Sequence, residues 1–155
     1  MQKQLAAVVM AMVLGLATVQ AADLTWDPGG GGSSDGAGTW LGTGAWWDGG
    51  ANVDWTSGSG AIIGNGGAGG TITLGAVSAS TVVVSNFTGT YQFSGGSLDQ
   101  SGGITIDTSA GDFTFQSTPV LTGGGDIVLN GGGNVSMYTL NDNNAITGDT
   151  ILNDG

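Results

Sequence analysis

From residue 71 onward, apolar side chains recur at every second position in short bursts. Ile72 and Leu74 alternate with threonines, Val82 with Val84, Tyr91 with Phe93, Ile104 with Ile106, Phe113 with Phe115, and Ile127 with Leu129. Val135, Met137 and Leu140 come next, and Ile146 and Ile151 last. A period of two places alternate side chains on one face of a β-strand. No stretch beyond residue 21 carries the 3.6-residue period of a helix, so the pattern predicts essentially no helix there. Strand centres fall near residues 73, 83, 92, 105, 114, 128, 137 and 150, at steps of 10, 9, 13, 9, 14, 9 and 13. Between them lie turn signals such as Gly95-Gly96, Gly102-Gly103, Gly123-Gly124-Gly125 and Gly131-Gly132-Gly133.

Short strands at regular spacing fit a sandwich, a barrel or a β-solenoid. Strands of roughly 4 to 6 residues suit a coil with two or three strands per turn. Gly, Asn and Ser turns supply the left-handed backbone that tight corners need. At roughly 20 to 30 residues per coil, residues 60–155 hold about four coils. At a strand spacing near 4.8 Å that stack is about 20 Å tall.

The first 59 residues obey other rules. Leu5 to Val19 is an unbroken apolar run behind Lys3, closing on Val19-Gln20-Ala21. A short basic start, an apolar stretch and small residues at the boundary make a secretory signal helix over residues 1–21, cleaved after Ala21. The run is at the short end for spanning about 30 Å of hydrocarbon, and no basic cluster comes after it. The expectation is an exported chain with no membrane span after cleavage. Residues 22–59 then form a Trp- and Gly-rich cap, holding all 5 tryptophans: Trp26, Trp40, Trp46, Trp47 and Trp55.

Charge narrows the function classes. The formal net charge of −11 becomes −12 once the single cation, Lys3, leaves with the signal. All 12 acids are Asp, and His and Cys are absent. Nucleic acid and anionic lipid need Lys and Arg to neutralise phosphate, so neither is an expected partner. Without His, Cys or a mature Lys, nucleophilic triads and Schiff bases are excluded. A pair of Asp for glycoside hydrolysis stays formally open. Asp35, Asp48, Asp99, Asp112 and Asp142 nonetheless sit beside Gly, Ser or Asn, where short side chains bond the local backbone. The reading is a non-catalytic chain with no cofactor.

Calcium is a weaker alternative. Asp126, Asp142, Asp149 and Asp154 share the C-terminal segment with several Asn, and hard oxygen ligands suit calcium. No Asp-x-[Asp/Asn]-x-[Asp/Asn]-Gly run occurs, and Gly123-Gly124-Gly125-Asp126 only partly echoes a calcium-binding nonapeptide.

The segment from Gly123 to Gly155, GGGDIVLNGGGNVSMYTLNDNNAITGDTILNDG, is the most specific. It resembles the autotransporter-associated β-strand repeat. Ile127-Val128-Leu129 stands for the first strand, Gly131-Gly132-Gly133 for the turn and Val135 to Leu140 for the second strand. Asn141 to Asn144 makes an Asn-rich turn, Ile146 to Ile151 the third strand, and Asn153-Asp154-Gly155 the close. Asn130-Gly131 departs from the Lys-x-Gly usual in that first turn, and only one copy is clear. Trp26-Asp27, Trp46-Trp47-Asp48 and Asn52-Val53-Asp54-Trp55 resemble the start of such chains. The resemblance implies a right-handed parallel β-helix, secreted or on a bacterial surface, usually within a longer polypeptide. On that reading these 155 residues are an N-terminal portion or a short member.

The function expected is a structural or adhesive surface segment. Its partners would be surface glycans or other surface proteins, with self-association through the open end of the solenoid. The competing reading is a carbohydrate-binding module, in which Trp46, Trp47 and Trp55 stack on sugar rings. Adjacent strand residues face opposite ways, so at most one of Trp46 and Trp47 belongs to the core.

Overall fold

The computed structural model describes residues 21–32, 34–116, 119–137 and 144–153. The signal segment at 1–20 lies outside them. The described residues form strands and corners with no helix.

The chain first lays down β1 (Leu24–Trp26) and β2 (Gly38–Thr39), then doubles back through β3 (Trp46–Trp47) and β4 (Asn52–Val53). Regular coiling begins there. The first full turn is β5 (Ala61–Ile63), β6 (Thr71–Thr73) and β7 (Ala76–Ala79). The second is β8 (Val82–Val84), β9 (Gly89–Ser94) and β10 (Ser97–Gln100). The third is β11 (Ile104–Asp107), β12 (Gly111–Phe115) and β13 (Val120–Gly123). The fourth is β14 (Ile127–Asn130), β15 (Val135–Met137) and β16 (Ala145–Ile146), and β17 (Thr150–Asn153) begins a fifth.

Each turn contributes one strand to each of three sheets, so the molecule is a three-sided β-solenoid of about four turns. Face one has the order β17-β14-β11-β8-β5-β1-β3-β4. Face two runs β15-β12-β9-β6-β2, and face three runs β16-β13-β10-β7. Every pairing is parallel except β1 with β3 and β3 with β4, which are antiparallel. Ala61, Val82, Ile104, Ile127 and Thr150 stack in register, giving turns of 21, 22, 23 and 23 residues.

Register converts the period-two pattern into columns. Ile63, Val84, Ile106, Leu129 and Leu152 form one inward column on face one. Ile72, Phe93, Phe115 and Met137 form another on face two, beside Tyr91, Phe113 and Val135. Val77, Leu98 and Leu121 supply face three. Burial is complete through the middle of these columns and falls away only in the last turn, at Leu129, Val135, Met137 and Leu152. Phe93, Phe113 and Phe115 meet edge to face, with centroids 4.9 to 5.9 Å apart. Burying each such side chain contributes roughly 1.5–3 kcal/mol, which replaces the ion pairs this chain cannot make.

Two glycines show why the corners are Gly-rich. Gly64 has φ +106°, and a Cβ there would lie 1.7 Å from the Ser85 carbonyl oxygen one turn on. Gly123 has φ +119°, with a Cβ position 1.7 Å from the Gln100 carbonyl oxygen. Left-handed backbone and close stacking therefore coincide at both corners.

Face three corrects the expected strand list. β7, β10 and β13 carry the sequences AVSA, SLDQ and VLTG, each with one large inward side chain and a small or polar second one. They occupy the long steps that the pattern reads as turns. The segment expected as one strand, Ile146 to Ile151, is two: β16 and β17, separated at Gly148-Asp149 where the chain turns from face three to face one. The expected Asn-rich turn falls at 141–143 outside the described residues.

Candidate functional site

The tryptophans gather at the start of the solenoid. β1 pairs in parallel with β5, and β2 with β6, so residues 24–39 already add to the coil. β3 then pairs antiparallel with β1, and β4 with β3, extending face one beyond the first turn. This reversal brings the Trp side chains over the end of the core. Trp26, Trp40 and Trp46 are fully buried, and Trp55 packs against them half-exposed. Ring centroids lie 5.1 Å apart for Trp26 and Trp46, 4.8 Å for Trp40 and Trp46, 4.6 Å for Trp46 and Trp55, and 5.1 Å for Trp40 and Trp55. Trp40 also meets Phe93 at 5.7 Å, which joins the cluster to the stacked aromatics of face two. Tilted and edge-to-face contacts at these distances are the favoured aromatic geometries.

The indole N–H groups mostly find carbonyls. Trp46 Nε1 donates to Trp40 O at 2.7 Å, Trp26 Nε1 to Gly36 O at 3.0 Å, and Trp55 Nε1 to Ser78 O at 3.3 Å. Trp40 Nε1 is buried with no hydrogen-bond partner.

Below the rings, Asp27 organises a loop. Its buried carboxylate accepts from Gly32 N at 2.6 Å, Ser34 N at 2.9 Å, Ser34 Oγ at 2.5 Å and Asn52 Nδ2 at 2.8 Å. Burial pushes this carboxyl upward, but the donors from Ser34, Asn52 and Gly32 outweigh it and hold the group at about 2. Asn52 also donates to Gly44 O and accepts from Gly31 N, both at 3.0 Å, tying the loop to β4. A second carboxylate, Asp35, accepts from the Tyr91 hydroxyl at 2.5 Å and from Asn65 N and Gly67 N at 2.7 Å. Burial and the neighbouring Asp35 push the Tyr91 phenol well above its usual range.

The expected sugar-stacking residues separate under this geometry. Trp46 is fully buried within the cap, so the structure removes it from any ligand face. Trp47, on the opposite side of β3, is half-buried with its ring against Gly32, where a Cβ would come within 2.8 Å. Trp55 is half-buried but committed to Trp40, Trp46 and Ser78. The three are thus not one platform.

The aspartates are likewise occupied by backbone. Asp48 accepts from Gly50 N and Ala51 N at 2.8 Å, and those two bonds hold its carboxyl below the usual range. Asp54 accepts from Gly44 N, Asp112 from Asn134 N and Asp126 from Asp149 N, at 2.8 to 2.9 Å. The side chain and backbone N–H of Ser109 lower Asp107 in the same way. Among the described residues no group of three or more Asp, Glu, His or Cys is placed to hold a metal. The Asp142 and Asp154 suggested for calcium lie outside them. No helix among the described residues is long and apolar enough to cross a membrane.

Sequence reasoning missed Gln100 altogether. It is buried in the core, in the inward column between Ala79 and Gly123, and its Nε2 donates to Gly125 O at 2.8 Å. A Gln between Asp99 and Ser101 reads as a turn residue, and only the register reveals it as an inward one. No family model matches the chain, and neither the curated proteins nor the solved structures hold a match to it.

Proposed function

We propose that this chain is an exported, non-catalytic structural segment: an acidic β-solenoid of the passenger type that displays its faces at the cell surface. The observation that carries the reading is the use of the carboxylates. Asp27, Asp35, Asp48, Asp54, Asp107, Asp112 and Asp126 each accept backbone N–H groups at corners and loops. A carboxylate held low by such bonds serves poorly as a general acid. The inward side chains are meanwhile taken up by stacking.

Export rests on the N-terminal pattern. N-terminal sequencing of the protein recovered from its host tests it: the expected result is a start at Ala22, with the protein outside the cytoplasm. A cytoplasmic chain retaining Met1 overturns it. Binding of glycans is the second reading, and among the three Trp only Trp47 combines partial exposure with freedom from the inner cluster. Glycan-array binding abolished by Trp47→Ala in a folded protein would replace the structural reading with that one.

A further inference from the structure

The two ends of the solenoid are finished differently. The first is closed by the Trp cluster and by the antiparallel strands β3 and β4. At the other, the inward columns run out into solvent. Leu152 stacks beyond the buried Ile106 and half-buried Leu129 in its column and is 75% exposed, and Met137, above Phe115, is 37% exposed. Leu129, Val135 and Leu152 line an open cavity of about 210 Å³. The outermost strands, β15, β16 and β17, each pair with only one neighbour and present a free edge.

We infer that this end docks with the same end of a second copy of the chain, forming a closed two-fold dimer. Strand edges and exposed core continue the stacking that already joins each turn to the next, so a matching set of strands completes both. The first end offers no such edge of three parallel sheets, so a head-to-tail filament is blocked and the joint must be the same patch on both copies.

The winding fixes where the axis lies. One turn rises by about one strand spacing, 4.8 Å, so β15, β16 and β17 sit at successively greater height. If the axis crossed face one, β17 would meet its own mate while β15 and β16 stood about one strand apart from theirs. If it crosses face three, through the intermediate strand β16, the heights balance all round. β16 then pairs with its mate, and β17 with β15 of the second copy. Chain direction reverses under the two-fold, so every pair is antiparallel. Leu152 comes opposite the Val135–Met137 strand, closing apolar on apolar.

The charge of the chain sets the conditions. Two copies without a cation between them repel, and salt screens that repulsion within about 10 Å at 0.1 M. Sedimentation of the purified protein is expected to show a monomer becoming a dimer, and nothing larger, as concentration and salt rise. Leu152→Asp should weaken that dimer at least tenfold with an unchanged circular dichroism spectrum. The chain has no cysteine, so a single one reports position. Ala145→Cys, in β16 near the axis, should give dimers with a short bis-maleimide. Thr43→Cys, beside the closed end, should not. A monomer under all conditions, a ladder of higher species, or crosslinking at residue 43 as efficient as at 145 would overturn the inference.

Discussion

The closed and open ends are built from the same kind of turn and differ in the cover laid over the outermost column. At the first end Trp26, Trp40 and Trp46 lie over Ile72, Phe93 and their neighbours and are fully buried. At the other, the equivalent of that cover is absent among the described residues, and Leu152 and Met137 stand in solvent. A solenoid turn cannot bury its own end face, so stability depends on whether something caps the stack. In a chain with no disulfide and one cation, the cap takes on a larger share of that work.

The comparison breaks most visibly at Trp46. Trp46→Ala removes a fully buried ring that touches three other tryptophans, and a loss of about 3–5 kcal/mol is expected. Thermal unfolding should register it as the largest drop among single substitutions at either end. Ile106→Ala, in the middle of the face-one column, should cost about 2–5 kcal/mol by leaving a cavity with covered sides.

Asp27→Asn should cost less, about 1–3 kcal/mol, since it leaves some loop donors without an acceptor. It also carries a pH signature. The Asp27 carboxyl is lowered from 3.8 to about 2, so its contribution is complete above pH 4 and is lost as pH falls through 2. Tryptophan fluorescence of the cap should change across that window in the parent, and the change should vanish in Asp27→Asn. Persistence of the transition in the variant would assign it to other aspartates.

At the small end of the scale, Trp40→Phe should shift stability by about 1 kcal/mol or less. It sheds apolar area but also removes a buried donor that has no acceptor. Leu152→Ser, at the open end, should stay within about 0.5 kcal/mol at protein concentrations low enough to keep the chain monomeric.

The legible parts of this fold were those where both inward positions of a strand are large. Ile104 and Ile106 in β11, or Phe113 and Phe115 in β12, alternate with Thr and announce themselves. Face three was invisible because its second inward column is Ala79, Gln100 and Gly123. A strand that points one Leu and one Gln or Gly inward has no readable period. The turn length and the coil count were within reach because faces one and two repeat every 21 to 23 residues.

The candidate site was legible in composition and not in arrangement. Trp46 and Trp47 had to face opposite ways, but which one entered the core was set by the antiparallel return of β3 along β1. The bonds from Asp27 to Ser34 and Asn52 join residues 7 and 25 positions apart, and no local pattern announces them.

Hydrogen exchange read along the chain tests the central claim, a solenoid sealed at one end and open at the other. At dilution, amides of β1, β5, β8 and β11 on face one, together with Trp46 and Trp47, should exchange slowly, with protection falling turn by turn toward β15, β16 and β17. Equal protection in all turns, or fastest exchange at the tryptophan end, would contradict it.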